Sequence, residues 1–566
     1  MVDAGELRDY TPCMTDKHCK GAELLVSALQ AEGVERVFAV PGEENLDVLE
    51  ALRTSSIELI VMRHEQPAAF MAATYGRLTG RPGVCLTTLG PGATNLTTGA
   101  AFARLGAMPM LMITGQKPIL SAPQAQFQMV DIVATMRPLT KLSQQIVSVA
   151  MIPTLVRNAF RMAQEERPGP VHLELPEDIA AQSVPELRPI PPHDVPQPLA
   201  AESSLRKAAA WIAGARKPLI MIGAAANRTR LVPELSAFVS RVRIPFFNTQ
   251  MGKGAVDGNS DLYLGTAALS ERDYIHLAVR EADLILCIGH DVVEKPPFLM
   301  GPGGPQVIHF GSHPASVEEV YYPQHEVIGD LGPALRRLAD LLEDKPRQDI
   351  SHFLELRRII HARVAQGSDD PRFPPTPQRI VRDVRSALPE DGIVALDNGM
   401  YKIWFARGYR THLANTILLD NALATMGAGL PSAMMAALLY PKRKVLAVCG
   451  DGGFMMNSQE LETAVRLKLN LVILIIEDRG YGMIRWKQEA AGMADYGLSF
   501  GNPDFVKYAE AYGAHGVRVE RTEELLPCVA RALGAGGVHV INVPVDYSEN
   551  QRVLVDELRA NVEGAG

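Results

Sequence analysis

The stretch VLAVCGDGGFMMNSQELETAVRLKLNLVILIIEDRGYG, residues 445–482, decides the fold. Residues 445–449 are short, wholly apolar and followed by glycine, as a strand buried on both faces is. After the turn, Asn457 and Glu460 have the Asn-x-x-Glu spacing of a capping box, which predicts a helix start. Leu461, Ala464, Val465 and Leu469 recur at i, i+3, i+4 and i+8 and give that helix one apolar stripe. LVILII, residues 471–476, reads as the next buried strand. The unit is strand–helix–strand, and each strand exits onto an acid, Asp451 and Asp478. In parallel sheets of this kind ligands bind beyond the carboxyl ends of the strands.

The same alternation of apolar runs and helical patterns extends through the chain. Further strands are expected at 36–40, 59–63, 83–88, 110–114 and 171–176, then at 217–223, 282–289 and 306–311, then at 392–399. VPELRPIPPHDVPQP, residues 184–198, breaks every periodicity and reads as a linker. The segments EDKPRQD and DDPRFPPTP mark a second boundary. The chain of 566 residues exceeds one core. It is read as three α/β domains, each a doubly wound parallel sheet, at 17–185, 200–345 and 375–555.

Composition narrows the function. Apolar residues make up 47% and charged residues 21%, an ordinary globular balance. A net charge of −8 disfavours nucleic acid, whose phosphates need a basic face. The first 17 residues mix charges without an apolar core, so they read as neither signal peptide nor anchor. No apolar run approaches the ~20 residues of a membrane helix. Cys13, Cys19, Cys85, Cys287, Cys449 and Cys528 are scattered without CxxC spacing, which predicts reduced thiols in a cytoplasmic protein.

Two carboxylates at neighbouring strand exits repel unless a cation lies between them. Oxygen ligands suit Mg²⁺ or Ca²⁺, and Mg²⁺ often bridges carboxylates and substrate phosphates. Gly450, Gly452 and Gly453 let backbone N–H groups approach those phosphates. The bland alternative is two solvated strand-end aspartates, and the GYG behind the second acid weighs against it.

The stretch resembles the cofactor motif of thiamine-diphosphate-dependent enzymes. The likeness runs over residues 18–555. The resemblance implies that Asp451, Asp478 and the carbonyl of Gly480 hold Mg²⁺, with Glu477-Asp478 where the family usually has Asn-Asn. Arg63-His64-Glu65-Gln66, with YGR and GPGATN behind it, matches the segment whose glutamate meets N1′ of the aminopyrimidine; Glu65 takes that role. A buried carboxyl there would share a proton with N1′ and activate the cofactor. Met426 in ALATMGAGLPSA matches the residue that props the cofactor in its bent form. Asn398, Gly399, Met400 and Tyr401 match the segment that helps hold the diphosphate, as do Gly452, Gly453, Tyr481 and Met483.

PGEENLDVL, LGPGATNL, YGMIRWKQ and GNPDFVKYAEAYGA most resemble acetolactate synthases of the catabolic, FAD-independent type. The resemblance implies decarboxylation of pyruvate and carboligation of the hydroxyethyl unit to a second pyruvate, giving 2-acetolactate and CO₂. Gln116, Gln128 and Lys141 would orient the acceptor, with Phe127, Ile484 and Trp486 lining the substrate pocket. Flavin-containing relatives carry an Arg-bearing turn where this chain has CIGHDVVEKPP, an acid where it has Gly311, and Lys where it has Glu177. FAD is therefore not expected. The resemblance also implies a site shared between chains, so a homodimer at minimum, with a homotetramer favoured. Another 2-oxoacid decarboxylase, a pyruvate oxidase or a 2-hydroxyacyl lyase on the same scaffold is the alternative. A non-catalytic relative would lack Glu65 or a metal ligand, and both are present.

Overall fold

The computed structural model describes residues 18–121, 125–185, 187–269 and 272–558. Cys13 and the charged first 17 residues lie outside them. A short pair, β1 (His18–Lys20) with β8 (Ser183–Pro185), runs antiparallel and ties the two ends of the first domain together. Between them lie β2 (Arg36–Val40), β3 (Glu58–Val61), β4 (Gly83–Thr87), β5 (Met110–Gln116), β6 (Leu142–Gln145) and β7 (Pro170–Pro176). They form one parallel sheet in the order β3-β2-β4-β5-β7-β6.

The central sheet holds β9 (Pro218–Ile222), β10 (Phe246–Thr249), β11 (Tyr263–Ala267), β12 (Leu284–Ile288), β13 (Gln306–Gly311) and β14 (His325–Ile328). Its order is β11-β10-β9-β12-β13-β14, the doubly wound arrangement whose direction reverses between β9 and β12. The third sheet holds β15 (Ile393–Leu396), β16 (Ile417–Leu418), β17 (Val445–Gly450), β18 (Leu471–Glu477), β19 (His515–Arg518) and β20 (Val538–Pro544), in the order β16-β15-β17-β18-β20-β19. Counted from its own first strand, it has the same topology as the first sheet.

The opening stretch shows why these strands are wholly apolar. In β17, Val445, Ala447 and Cys449 enter one core while Leu446 and Val448 enter another. In β18, Leu471, Ile473 and Ile475 alternate with Val472, Leu474 and Ile476 between the same two cores. Each face is covered, so neither set can be polar. One of these cores is continuous with the first domain, where it takes in Phe38, Ile60, Cys85 and Met110. The joint is made by two helices, Glu65–Thr79 and Gly429–Leu439. Thr74 and Ser432 share a hydrogen bond of 3.0 Å across it.

The helix after β17 departs from expectation. It starts at Asp451, directly off the strand, as Asp451–Asn457, and a second helix, Glu460–Arg466, follows. Asn457 ends the first helix instead of capping the second, and the capping box does not form. Both polar side chains are drawn elsewhere: Asn457 Nδ2 donates to Gly427 O at 2.8 Å and to Gln66 Oε1 at 3.0 Å. The Glu460 carboxylate accepts from the backbone N–H groups of Arg63 and His64 at 3.1 and 3.2 Å.

No helix among the described residues is long and apolar enough to cross a membrane. The five described cysteines are unpaired.

Candidate active site

The third sheet reverses direction between β15 and β17, and the chain leaves these strands at Asp397-Asn398 and Gly450-Asp451. Asp397 is fully buried and its carboxylate accepts from the N–H of Asn398 at 2.7 Å and of Gly427 at 2.9 Å. Burial still raises its pKa to about 6, against those hydrogen bonds. A Cβ on Gly453 would lie 2.7 Å from Asp397 Oδ2, so only glycine lets the Asp451–Asn457 helix start this close. Asn398 Nδ2 donates to Thr425 O at 2.6 Å, and Lys402 Nζ donates to Asn398 Oδ1 at 2.5 Å. Tyr401 is buried beneath the loop and its hydroxyl accepts from Gly450 N–H at 2.9 Å. Gly399 is packed against the Tyr401 ring, and Met400 is in the core below. Met426, half-buried, heads the turn that Asp397 and Asn457 hold through Gly427.

Asp451 and Asp478 come together, as the strand exits predict. Asp451 Oδ1 accepts from Gly452 N–H at 2.9 Å, while Oδ2 accepts from Arg479 N–H at 2.7 Å and from Asn502 Nδ2 at 2.8 Å. Burial, and then the Asp451 charge beside it, pushes Asp478 up to about 7; Arg485 opposes this. Gly482 lies close behind it, and a Cβ there would meet Asp478 Oδ2 at 2.1 Å and displace the carboxylate. Gly480 bridges to Ser499, and Tyr481 stacks edge-to-face on Phe500 at 5.1 Å, beside Gly452. Among the described residues no group of three or more His, Cys, Asp or Glu forms a metal cluster. The donor set that the structure brings together here is two carboxylates. Such a set fits Mg²⁺ that takes further oxygens from a diphosphate and water.

Glu477 plays a different part from Asp478. It is held by Arg479 Nε at 3.0 Å and Arg518 Nη1 at 2.8 Å, and it shares Asn502 Nδ2 with Asp451. Burial raises its pKa, but these two guanidinium groups outweigh that and hold the carboxyl below the usual range.

The first domain supplies a second group at the carboxyl ends of its strands. Glu65 begins the Glu65–Thr79 helix, capped by His64, and its Oε2 accepts from Asn95 Nδ2 at 2.9 Å. Gln116 ends β5; its Nε2 donates to Glu174 Oε2 at 3.0 Å and its Oε1 accepts from Lys117 N–H at 2.9 Å. Gln128 has a left-handed backbone, φ 57°, and packs on Gly90. Phe127 beside it is 69% exposed.

Two expected residues do not join. Lys141 precedes β6, at the opposite end of the sheet from Gln116. Their partners on β7, Pro170 and Pro176, are separated by the strand's length, about 20 Å at ~3.3 Å per residue. Lys141 Nζ instead donates to Glu165 O at 2.7 Å, and burial pulls its pKa down to about 8. Trp486 is only 7% exposed and packs inside the third-domain core, so it lines no open pocket; Ile484, on the same helix, is 50% exposed. Asp397, Glu460, Asn95, Glu174 and Asn502 are the positions that sequence reasoning missed. Asp397 alone carried a signal, as a third acid at a strand exit.

Residues 19–135 match the family model for the thiamine pyrophosphate enzyme N-terminal TPP binding domain, 205–338 its central domain and 397–543 its C-terminal TPP binding domain. The chain is 34% identical over 554 residues to an acetolactate synthase of Bacillus subtilis, covering 95% of each chain. It is 36% identical to a catabolic acetolactate synthase of Raoultella terrigena, over 94% of this chain and 96% of that one. It is 32% identical to the acetolactate synthase isozyme 2 large subunit of Escherichia coli, over 96% and 98%.

Proposed function

The chain belongs to the thiamine pyrophosphate enzymes, in the group that includes the acetolactate synthases, and from that premise we propose that it joins two pyruvates into 2-acetolactate with release of CO₂, using Mg²⁺ and no flavin. The observation that carries the reading is the convergence of Asp451 and Asp478 at the exits of β17 and β18, beside the reversal point of the third sheet and over a glycine cradle. The names of the similar enzymes support the choice of reaction. When bound, thiamine diphosphate supplies a carbon nucleophile that attacks a 2-oxoacid carbonyl and stabilises the charge left by decarboxylation.

The chain's own residues do the rest. Asp451, Asp478 and Gly480 would hold the cation, and the N–H groups at the start of the Asp451–Asn457 helix would be available to the diphosphate. Tyr401 supports that loop from below through Gly450. Met426 sits on a turn fixed from both sides by Asp397 and Asn457. Glu65 holds or gives a proton at N1′, and Asn95 fixes one of its oxygens for this. Gln116 and Gln128 present amides to the acceptor's carboxylate, with Phe127 and Ile484 flanking it.

A flavin-free central domain is supported at its own reversal point. There Glu294 Oε2 accepts from Ala224 N–H at 2.9 Å and Asp291 N–H at 3.1 Å, and Thr249 Oγ1 donates to its other oxygen at 2.5 Å. The carboxylate takes up amides that a dinucleotide phosphate would use. The reading includes at least a homodimer, with Glu65 of one chain acting at the cation site of another.

The test is an assay with thiamine diphosphate, Mg²⁺ and pyruvate, without FAD. Acetoin should appear only after acid converts acetolactate, and Glu65→Gln should lower the rate at least ~100-fold. Release of acetaldehyde in place of acetoin would overturn the carboligase reading.

A further inference from the structure

A cavity of about 240 Å³ lies between the central domain, the Ser351–Ala365 helix and the Tyr401–Gly408 helix, away from the cation site. Lys253 lines it and is only 2% exposed. Its Nζ donates to Thr266 Oγ1 at 2.9 Å, and no carboxylate among the described residues pairs with it. Such a lysine is expensive to bury with its charge. Burial, then the charge of Arg410 nearby, pulls its pKa down to about 7.

Arg407, on the facing wall, is also buried. Its Nη2 pairs with Asp273 at 3.0 Å and its guanidinium lies over the Tyr274 ring at 5.2 Å, but its Nε and Nη1 have no hydrogen-bond partner among the described residues. Among the described residues the Arg410 guanidinium, at the rim, hydrogen-bonds only a ring nitrogen, His361 Nδ1 at 3.5 Å. Gln378 Oε1, also on the lining, is a buried acceptor without a donor. Asp273 is the one acid in the lining, and Arg407 and backbone N–H groups occupy it. Cationic donors thus converge on a cavity with no free anion among the described residues to meet them. The same walls belong to two domains, so an occupant would bridge Lys253 and Thr266 to Arg407 and Arg410.

We propose that this cavity is a second ligand site, for a small anion carrying one carboxylate or phosphate group and a hydroxyl or acidic proton for Gln378. It stands independently of the reaction assigned above.

The test is calorimetric titration of the thiamine-diphosphate- and Mg²⁺-loaded enzyme with inorganic phosphate and, separately, with lactate, a carboxylate that carries a hydroxyl and no 2-oxo group. Saturable binding of one or both is expected, weakened at least tenfold by Lys253→Met. Phosphate alone would assign the phosphate class, and lactate alone the carboxylate class. Arg410→Gln, at an exposed position, should weaken the same binding at least threefold and serves if Lys253→Met fails to fold. Binding that is unchanged in both variants, or no saturation by either anion, would overturn the site.

Discussion

Glu477 and Asp478 are neighbours in sequence and opposites in environment. Glu477 is held ionised by Arg479 and Arg518, so its charge is spent before it reaches the cation site. Asp478 faces Asp451, and burial with that neighbouring charge raises its pKa to about 7. The replacement of the family's usual amide pair by two acids therefore adds one ligand charge, not two. Asp478→Ala should raise the Mg²⁺ concentration for half-maximal activity tenfold or more, about 1.4 kcal/mol. Asp478→Asn keeps an oxygen ligand and should cost less. Titration of chelator-treated enzyme with Mg²⁺ reads both, and an unshifted midpoint in the alanine variant would remove Asp478 from the site. The sequence made both acids legible as strand exits. Which one faces inward was not legible, because it depends on Arg518, on a strand two places away in the sheet.

The Glu460–Arg466 helix is the element whose role was least visible. Its first residue reads locally as the far end of a capping box, yet its carboxylate serves the turn before the Glu65–Thr79 helix. Local spacing cannot reveal a partner some 400 positions away in sequence. The same blindness misplaced Lys141 and Trp486, whose motifs were recognisable while their end or face of the sheet was not. Burial pushes Glu460 up to about 7 from an ordinary 4.5, despite hydrogen bonds to Thr463, Arg63 and His64. The folded state then binds more protons than the unfolded chain between these values, so stability from this group falls as pH rises from about 4.5 to about 7. Denaturant unfolding across that range should show a shallower fall in Glu460→Gln than in the wild type, since Asp397 and Asp478 still contribute to it. Glu460→Ala, which leaves the part-buried N–H groups of Arg63 and His64 without that acceptor, should cost ~1–3 kcal/mol near pH 4.5 and less as pH rises towards 7, where the wild type has lost its own contribution. Equal slopes in wild type and Glu460→Gln would show that the group titrates normally.

At the scale of the whole molecule, the first and third domains share one strand order, and their cores merge through the Glu65–Thr79 and Gly429–Leu439 helices. Apolar periodicity exposed the sheets because buried strands must be apolar on both faces. It hid the repeated topology, because Val, Ile, Leu, Ala and Cys substitute freely in such strands. It hid the edge strands too: β6, β14, β16 and β19 are short or only half covered and carry little apolar signal. The merged core presents the Glu65 group and the Asp451–Asp478 group from one chain, and the neighbours of Glu65 are engaged differently from Glu65 itself. Arg63, His64 and Gln66 contact their own third domain through Glu460 and Asn457, whereas the Glu65 carboxylate is held by Asn95 of its own domain. If Glu65 serves the cation site of a second chain, a Glu65→Gln chain and an Asp451→Ala chain are each inactive alone but complementary together. A mixed dimer then has one site with both defects and one site with none. Random reassociation of equal amounts should restore about a quarter of the wild-type activity, since roughly half of the dimers are mixed and each has one working site of two. Activity that stays at the level of the parents, with mixed dimers demonstrated by differential tagging, would mean that Glu65 and Asp451 work within one chain.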